Sequence, residues 1–304
     1  MGEYSIGLDI GGTNIRIGLQ STGGSIKCFE KIPRGQVLTG THSTDALAEF
    51  ISQYIERHRG GEKPFNIVLG FPATLDVQRR AIIQAPNIPG IDGLSAEELQ
   101  EKLQIPVYFE KDVNLLLYCD LMDLQIPTEG VAVGIYIGTG IGNAIFMNGV
   151  PLSGKNGTAG ELGHIPRAGS TKRCGCGNLG CAECYGSGMR LEEIQRERFP
   201  DTSIGELFCQ YPDDPVITEF LENIACTIAA EVNILDPHWL ILGGGVVNMK
   251  GFPFDRLVQM VRVHVRKPFP ADNLQILSSK DAVENGVRGA LQLGWAKKRE
   301  RGDQ

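Results

Sequence analysis

The chain has no run of apolar residues approaching the ~20 that a membrane-spanning helix needs. It has no surplus of positive charge either. Its 29 lysines and arginines stand against 36 aspartates and glutamates, a net charge of −7, so neither nucleic acid nor an anionic membrane has an electrostatic reason to bind. The basic cluster Lys297-Lys298-Arg299, with Arg301, reads as the solvated end of a helix. Nothing at the start resembles a secretory signal, and the cysteine usage points to a reducing cytoplasm. Both common nucleotide fingerprints are missing: there is no G-x-x-x-x-G-K-[ST], and no G-x-G-x-x-G that opens a helix. No linker or low-complexity stretch interrupts the chain. At 304 residues it is long enough for two domains of roughly 100–200 residues.

Histidine is also scarce, at five residues, which makes the surroundings of His164 informative. Glu161-Leu162-Gly163-His164 is followed ten residues later by Cys174-Gly175-Cys176-Gly177-Asn178-Leu179-Gly180-Cys181. Three thiolates and one imidazole match the tetrahedral ligand set of a closed structural zinc site, with His164, Cys174, Cys176 and Cys181 as ligands. Disulfides are the rival reading, but Cys174 and Cys176 are too close to pair comfortably. Cys28, Cys119, Cys209 and Cys226 are scattered among apolar neighbours and read as small core residues. Cys184 lies near the ligands without their spacing.

Two strand–glycine–strand units come next. Tyr4–Ile10 is an apolar strand that ends at Gly11-Gly12-Thr13-Asn14, and further strands are expected at 15–19 and 25–32. Backbone N–H groups in such a turn, with no Cβ in the way, suit a polyphosphate, and Asp9 could hold the Mg²⁺ that bridges it. A plain β-hairpin is the alternative. The pattern recurs at Val131–Ile137, where Gly138-Thr139-Gly140-Ile141-Gly142 leads into another strand. The recurrence suggests two similar halves that face one nucleotide. A third cluster, Gly243-Gly244-Gly245 after the strand Trp239–Leu242, suits an adenine or ribose, or a turn that starts a helix.

A strand over Pro106–Glu110 runs into Lys111-Asp112-Val113-Asn114, ahead of a helix expected over Leu115–Asp123. A carboxylate at the end of a strand beside a helix start lies where α/β sheets place ligands. Asp112 could therefore accept the proton of an attacking hydroxyl, or serve as an N-cap, or both.

Asp9-Ile-Gly-Gly-Thr13, Gly138-Thr-Gly140-Ile-Gly142, Glu161-Leu-Gly-His164 and Cys174-x-Cys176-x4-Cys181-x-Glu183 resemble the signature set of ROK proteins, within the actin-like ATPase and sugar-kinase superfamily. The resemblance runs from residue 4 to about residue 290. It implies an α/β fold of two ribonuclease H-like domains with a cleft between them, binding ATP with Mg²⁺ and a hexose. It further implies that Asp112 is the catalytic base and that Glu161, His164 and Glu183 line the sugar end. Asn87, in Ala85-Pro86-Asn87-Ile88-Pro89, matches a loop that closes over the sugar. On this reading the zinc is saturated by protein ligands and serves to fix the 161–183 loop.

Two departures bear on the substrate. Lys111 stands where the family commonly has Asn, and Gly70-Phe71-Pro72-Ala73 replaces a Gly-x-Pro-Gly run. With Glu-Leu-Gly-His-Ile-Pro, these features look most like the D-allose kinase branch, since Lys111 could reach the region of the 3-hydroxyl. Glucose, fructose and N-acetylmannosamine are the other candidates. The alternative is that Lys111 points to solvent or pairs with Glu110 and has no say in specificity.

The small domain is expected over residues 1–111, with a C-terminal helix at about 285–304 packing back on it, and the large domain over 112–284. An amphipathic helix is expected at Thr44–Arg57, a capping box at Ser95 with Glu98, a long helix at Val216–Leu235 and a last helix at Ala282–Lys297. The expected activity is ATP-dependent phosphorylation of a hexose 6-hydroxyl by a cytoplasmic homodimer. ROK proteins also include sugar-sensing transcriptional regulators, which carry a helix-turn-helix module before the first phosphate hairpin. Asp9 lies only nine residues into this sequence, which argues against that reading. An actin-like filament former would leave the zinc-loop motif unexplained.

Overall fold

Strand β1 (Tyr4–Ile10) buries every residue but Asp9, which marks it as the middle of a sheet covered on both faces. The structure, a computed structural model, describes residues 3–40, 42–280 and 282–302. β1 turns back at once into β2 (Asn14–Ser21), pairing from Tyr4 opposite Ser21 to Ile10 opposite Ile15, and β2 pairs antiparallel with β3 (Lys27–Pro33). After α1 (Ser43–Arg59) the chain lies parallel to β1 as β4 (Asn66–Phe71). It then makes the small hairpin of β5 (Thr74–Leu75) and β6 (Ile82–Gln84), passes through α2 (Ala96–Leu103) and completes the sheet with β7 (Val107–Lys111). The sheet order is β3-β2-β1-β4-β7, and α3 (Asp112–Asp123) leaves directly from the end of β7.

A second sheet repeats this plan. β8 (Val131–Ile137), β9 (Ile141–Met147) and β10 (Val150–Pro151) form the antiparallel side, while β11 (Trp239–Gly243) and β12 (Gln275–Ser278) run parallel to β8. The order is β10-β9-β8-β11-β12. The glycine turn between the first two strands thus occupies the same topological place in both sheets, which is the doubled ribonuclease H-like α/β arrangement.

Between β10 and β11 lie α4 (Glu183–Gly186), α5 (Gly188–Arg198), α6 (Leu207–Gln210) and α7 (Pro215–Leu235), and α8 (Phe254–His264) precedes β12. α7 puts Ile217, Phe220, Leu221, Ile224, Ile228 and Val232 on one stripe, all buried in the core of the second sheet. Each such side chain contributes about 1.5–3 kcal/mol on burial. The final helix, α9 (Asn285–Gly302), packs on β1, β4 and α3. Its backbone comes close to the sheet: Asn66 Nδ2 donates to the Gly294 carbonyl at 2.8 Å, and Ser5 Oγ donates to Asn66 Oδ1 at 2.6 Å.

The chain divides into two compact units. One comprises Met1–Ile126, Ser153–Ala159 and Ala282–Gln304, the other Pro127–Leu152 and Gly160–Asp281.

Several expected boundaries move. α3 begins at Asp112 rather than Leu115, with Lys111 at its N-cap position and no side-chain cap, so Asp112 is not an N-cap; its Oδ1 accepts from the Val113 N–H at 2.8 Å. No helix opens at Gly243–Gly245, because successive turns follow until α8 starts at Phe254. Ser95 Oγ accepts from Glu97 and Glu98 N–H at 3.2 and 3.5 Å, but the Glu98 carboxylate accepts from Thr44 of α1 instead of completing the box. Cys28, Cys209 and Cys226 are exposed, and of that quartet only Cys119 is buried. Apolar sequence neighbours do not bury a residue that lies on the outer side of its strand or helix.

Candidate active site

The candidate residues divide between the two units. Asp9, Gly11–Asn14, Asn87, Lys111 and Asp112 lie in the first, and Gly138–Gly140, Glu161, His164, the cysteines, Glu183 and Gly243–Gly245 lie in the second.

In the first unit, β1 delivers Asp9 to the mouth of the glycine turn, which is closed by the Gly11 N–H donating to the Asn14 carbonyl at 2.9 Å. Arg34 braces this turn from outside: its N–H donates to the Thr13 carbonyl at 2.8 Å and its Nε to the Gly12 carbonyl at 2.7 Å. The Asn87 loop packs on the same turn, since a Cβ on Gly12 would stand 3.4 Å from the Asn87 carbonyl oxygen. Asp9 lies directly opposite Arg16 in the β1–β2 register, and Arg16 Nη1 donates to its Oδ2 at 2.8 Å. The other neighbour of that carboxylate is the first turn of α9, where a Cβ on Gly286 would fall 2.7 Å from Asp9 Cγ. A helix N-terminus favours a negative charge there. Burial nevertheless pushes the Asp9 carboxyl above the usual range, against the pull of Arg16.

Asp112, partly buried at the start of α3, is pushed up to about 6, first by burial and then by the negative charge of Asp9. The Val113 N–H and Lys111 oppose the shift. A carboxylate with this midpoint is ionised at neutral pH and more basic than an ordinary aspartate, which suits a general base. Lys111 directs its ammonium to the Ala159 carbonyl, 3.4 Å away.

In the second unit, Glu161 precedes a single 3₁₀ turn (Leu162–His164), and the loop after it is crossed by isolated bridges between Pro166 and Cys181 and between Arg173 and Leu179. The donor atoms of His164, Cys174, Cys176 and Cys181 all lie within 4.8 Å of one another. Cys174 Sγ is 3.6 Å from His164 Nδ1, and Cys176 Sγ is 3.6 Å from Cys181 Sγ. Four ligands around one zinc ion stand roughly 3.3–3.8 Å apart, whereas a disulfide needs about 2.05 Å. The geometry and the soft donor set fit zinc. His164 turns Nδ1 to the cysteines and leaves Nε2 on the side of Glu161, 3.8 Å from its carboxylate. Glu183, the first residue of α4, accepts a hydrogen bond from Cys174 Sγ at 3.1 Å. Its other oxygen lies where a Cβ on Gly140 would be, 2.6 Å away, and 3.3 Å from the corresponding point on Gly163. The loop that carries the cysteines and the second glycine turn therefore meet at one carboxylate. Gly244 (φ +92°) lies against the backbone of Ile137 at the end of β8, which leaves no room for a side chain.

Sequence reasoning did not reach Arg16, Arg79, Glu110, Asn114, Asn143 or Glu231. Glu231 is a buried carboxyl on α7, raised by burial to about 7, whose Oε2 accepts from Asn143 Nδ2 at 2.9 Å just after the second glycine turn. Only register could have revealed Arg16. Arg79 meets Glu110, and Glu231 meets Asn143, across long stretches of chain with no local pattern, whereas Glu110 and Asn114 are four residues apart at the junction of β7 and α3.

A doubled sheet whose copies each open with a strand, a glycine turn and a strand, with acidic residues at the end of β1 and just beyond β7, defines an α/β protein of the actin-like ATPase class. The ROK family model matches residues 5–298, and the chain belongs to the ROK family. It is 28% identical over 311 residues to an N-acetyl-D-glucosamine kinase of Pectobacterium carotovorum subsp. carotovorum, covering 94% of this chain and 97% of the relative. A ROK hexokinase from Thermus thermophilus superposes with a TM-score of 0.79 at 26% identity, over 98% of this chain and 99% of that one. A ROK family glucokinase from Streptomyces griseus, solved with glucose and AMPPNP, superposes with a TM-score of 0.77 at 25% identity, over 95% of this chain and 98% of the other. None of these three is named an allose kinase, so the D-allose expectation gains no support from them.

Proposed function

We propose that this protein is an ATP-dependent carbohydrate kinase that transfers the γ-phosphoryl group to a hexose hydroxyl, the 6-hydroxyl in our reading. The observation that carries the proposal is the pairing of Asp9 with Asp112. Asp112 just beyond β7 is pushed up to about 6 by its burial and, after that, by the charge of Asp9 at the lip of a phosphate-type turn. Such a separation of two carboxylates suits one to metal binding and the other to accepting a proton. Asp9 with Gly11, Gly12, Thr13 and Asn14 would hold Mg²⁺ and the phosphates, together with Gly138, Thr139 and Gly140, and Gly243–Gly245 would take the nucleoside. Mg²⁺ supplies neutralisation of charge on the phosphates. Asp112 takes the proton of the attacking hydroxyl, and Asn87, Lys111, Glu161, His164 and Glu183 bind and orient the sugar.

His164, Cys174, Cys176 and Cys181 would hold a zinc ion that, with four protein ligands, has no open position for chemistry. Its contribution is to keep Glu161 and Glu183 at a fixed spacing. The kinship with kinases of N-acetylglucosamine and glucose supports those sugars as acceptors ahead of D-allose. Part of the case for allose rested on Lys111, whose ammonium is already engaged by the Ala159 carbonyl. The proposal includes a homodimer, which sedimentation tests. The decisive experiment couples ADP release to a panel of N-acetylglucosamine, glucose, N-acetylmannosamine, fructose and D-allose. Stimulation by at least one sugar is expected, and ADP release indifferent to every sugar rejects the reading.

A further inference from the structure

Glu110, the penultimate residue of β7, has a side chain only 1% exposed. Both of its oxygens are engaged. Oε1 accepts from the Lys111 N–H at 2.9 Å and from Asn114 Nδ2 at 2.7 Å, and Oε2 accepts from Arg79 Nη1. Arg79 reaches this carboxylate from the turn between β5 and β6, where its φ of +56° is a left-handed value that a residue with a Cβ adopts at a cost. The turn is held from within: the Asp76 carbonyl accepts from the Arg79 N–H at 2.9 Å, and Asp76 Oδ1 from the Ala81 N–H at 3.1 Å. The other end of the guanidinium donates from Nη2 to Ser153 Oγ at 3.0 Å. Ser153 opens the short segment Ser153–Ala159 of the same unit, and Lys111 Nζ donates to the carbonyl at its far end. One buried carboxylate thus joins the β5–β6 turn, the last peptide of β7 and the first turn of α3.

We propose that Arg79 is a positioning residue for phosphoryl transfer: it holds the Glu110 carboxylate, through which the Lys111 peptide and the first turn of α3 are aimed so that Asp112 points at the hydroxyl it deprotonates. This rests on the reading of Asp112 as the base. Stability alone is a poor reason for the arrangement, because a buried ion pair is often matched or bettered by apolar side chains of the same volume. A planar fork with one prong on the Glu110 carboxylate and the other on Ser153 Oγ supplies direction, which Lys or Met does not. The charged and titratable groups around the corner are Asp9 and Lys111 on Asp112, Arg16 on Asp9, Arg79 and Lys111 on Glu110, and Tyr118 of α3, which faces Glu110 and Glu300 of α9.

The test compares Arg79→Met, Arg79→Lys and the pair Arg79→Met/Glu110→Gln in ADP release with N-acetylglucosamine and glucose as acceptors. Arg79→Met is expected to lower kcat about a hundredfold, the cost of misplacing a reacting group by about 1 Å, with the KM for ATP changed less than about threefold. Without its counter-charge Glu110 takes up a proton and lets go of the Lys111 and Asn114 donors, so the acid limb of kcat steepens to two protons and moves to higher pH. Adding Glu110→Gln restores a one-proton limb. Arg79→Lys, which keeps the charge and the fold but loses the fork, lowers kcat about tenfold. Wild-type kcat with a one-proton limb in folded Arg79→Met, or undiminished kcat in Arg79→Lys, overturns the proposal. Asp112→Asn is assayed alongside: near-normal turnover there removes the base itself, whereas an inactive Asp112→Asn with unaffected Arg79 variants rejects only the role given to Arg79.

Discussion

The Glu183 carboxylate fills the space that a side chain at Gly140 would need, with Oε2 2.6 Å from where that Cβ would be. The second glycine turn is therefore shaped by the loop that carries the cysteines as much as by anything that approaches its N–H groups. Two motifs that look independent in the sequence share one carboxylate.

Gly140→Ala should push the end of Glu183 aside without unfolding the protein, because the tip of a flexible side chain gives way cheaply. Losing a hydrogen bond to a charged group costs about 1.5–3 kcal/mol, so kcat/KM for the hexose should fall roughly 10- to 100-fold, mostly through the sugar KM, with little change in Tm. Steady-state kinetics and a melting curve check both halves of this statement.

Asp112→Asn should lower kcat by about 10²–10⁴-fold while sugar binding, followed by calorimetry, survives. The same variant makes a stability prediction. The folded-state midpoint of Asp112, about 6, lies above its ordinary value of 3.8, so the ionised form is disfavoured in the fold. The native state binds more protons than the unfolded chain between these values, and stability falls as pH rises through that window. Asn, which cannot ionise, should thus stabilise the protein at pH 8 and confer progressively less advantage as the pH drops towards 4. Urea titrations at pH 8 and pH 5 measure the difference, and an equal effect at both pH values contradicts it.

Asp9→Asn removes the charge that ranks second, after burial, in raising Asp112. The Asp112 carboxyl should then titrate below 6, a shift that carbon-13 NMR of labelled aspartate reads without any substrate. Turnover should collapse in the same variant if Asp9 holds the metal that accompanies ATP.

Metal analysis should find one zinc per chain. Cys176→Ser, or prolonged chelation, should lower the Tm by about 5 °C or more, at 2–4 °C per kcal/mol for a chain unit of this size, and raise the sugar KM. Zinc-free protein with unaltered melting and kinetics would refute a structural role for the cluster.

The architecture was largely legible because its signals are local. Alternating strands and glycine turns declare themselves within ten residues, and the recurrence of one such unit more than a hundred residues later points to a doubled sheet. The gathering of His164 with three cysteines could be read from spacing, since the loop between them is too short to carry them far apart. What sequence could not supply were contacts across the fold. Asp112 looked like a cap because Asp caps helices well, yet the strand feeds straight into α3 and leaves Lys111 in that place. Glu110 was merely the end of a strand until Arg79, 31 residues earlier, was found on it. Cys226 has buried neighbours on both sides along α7 but turns outward, as one position in each helical turn must.

The docking of α9 on β1 and β4 has a consequence for how the protein is made. β1 and β4 are covered by a helix that starts more than two hundred residues further along the chain, so their apolar face must wait while that intervening stretch is made. At about 5–20 residues per second that interval is roughly ten to forty-five seconds, long enough for a chaperone to bind. A nascent chain truncated before Asn285 should therefore stay protease-sensitive in its first seventy residues, however perfectly those residues are encoded.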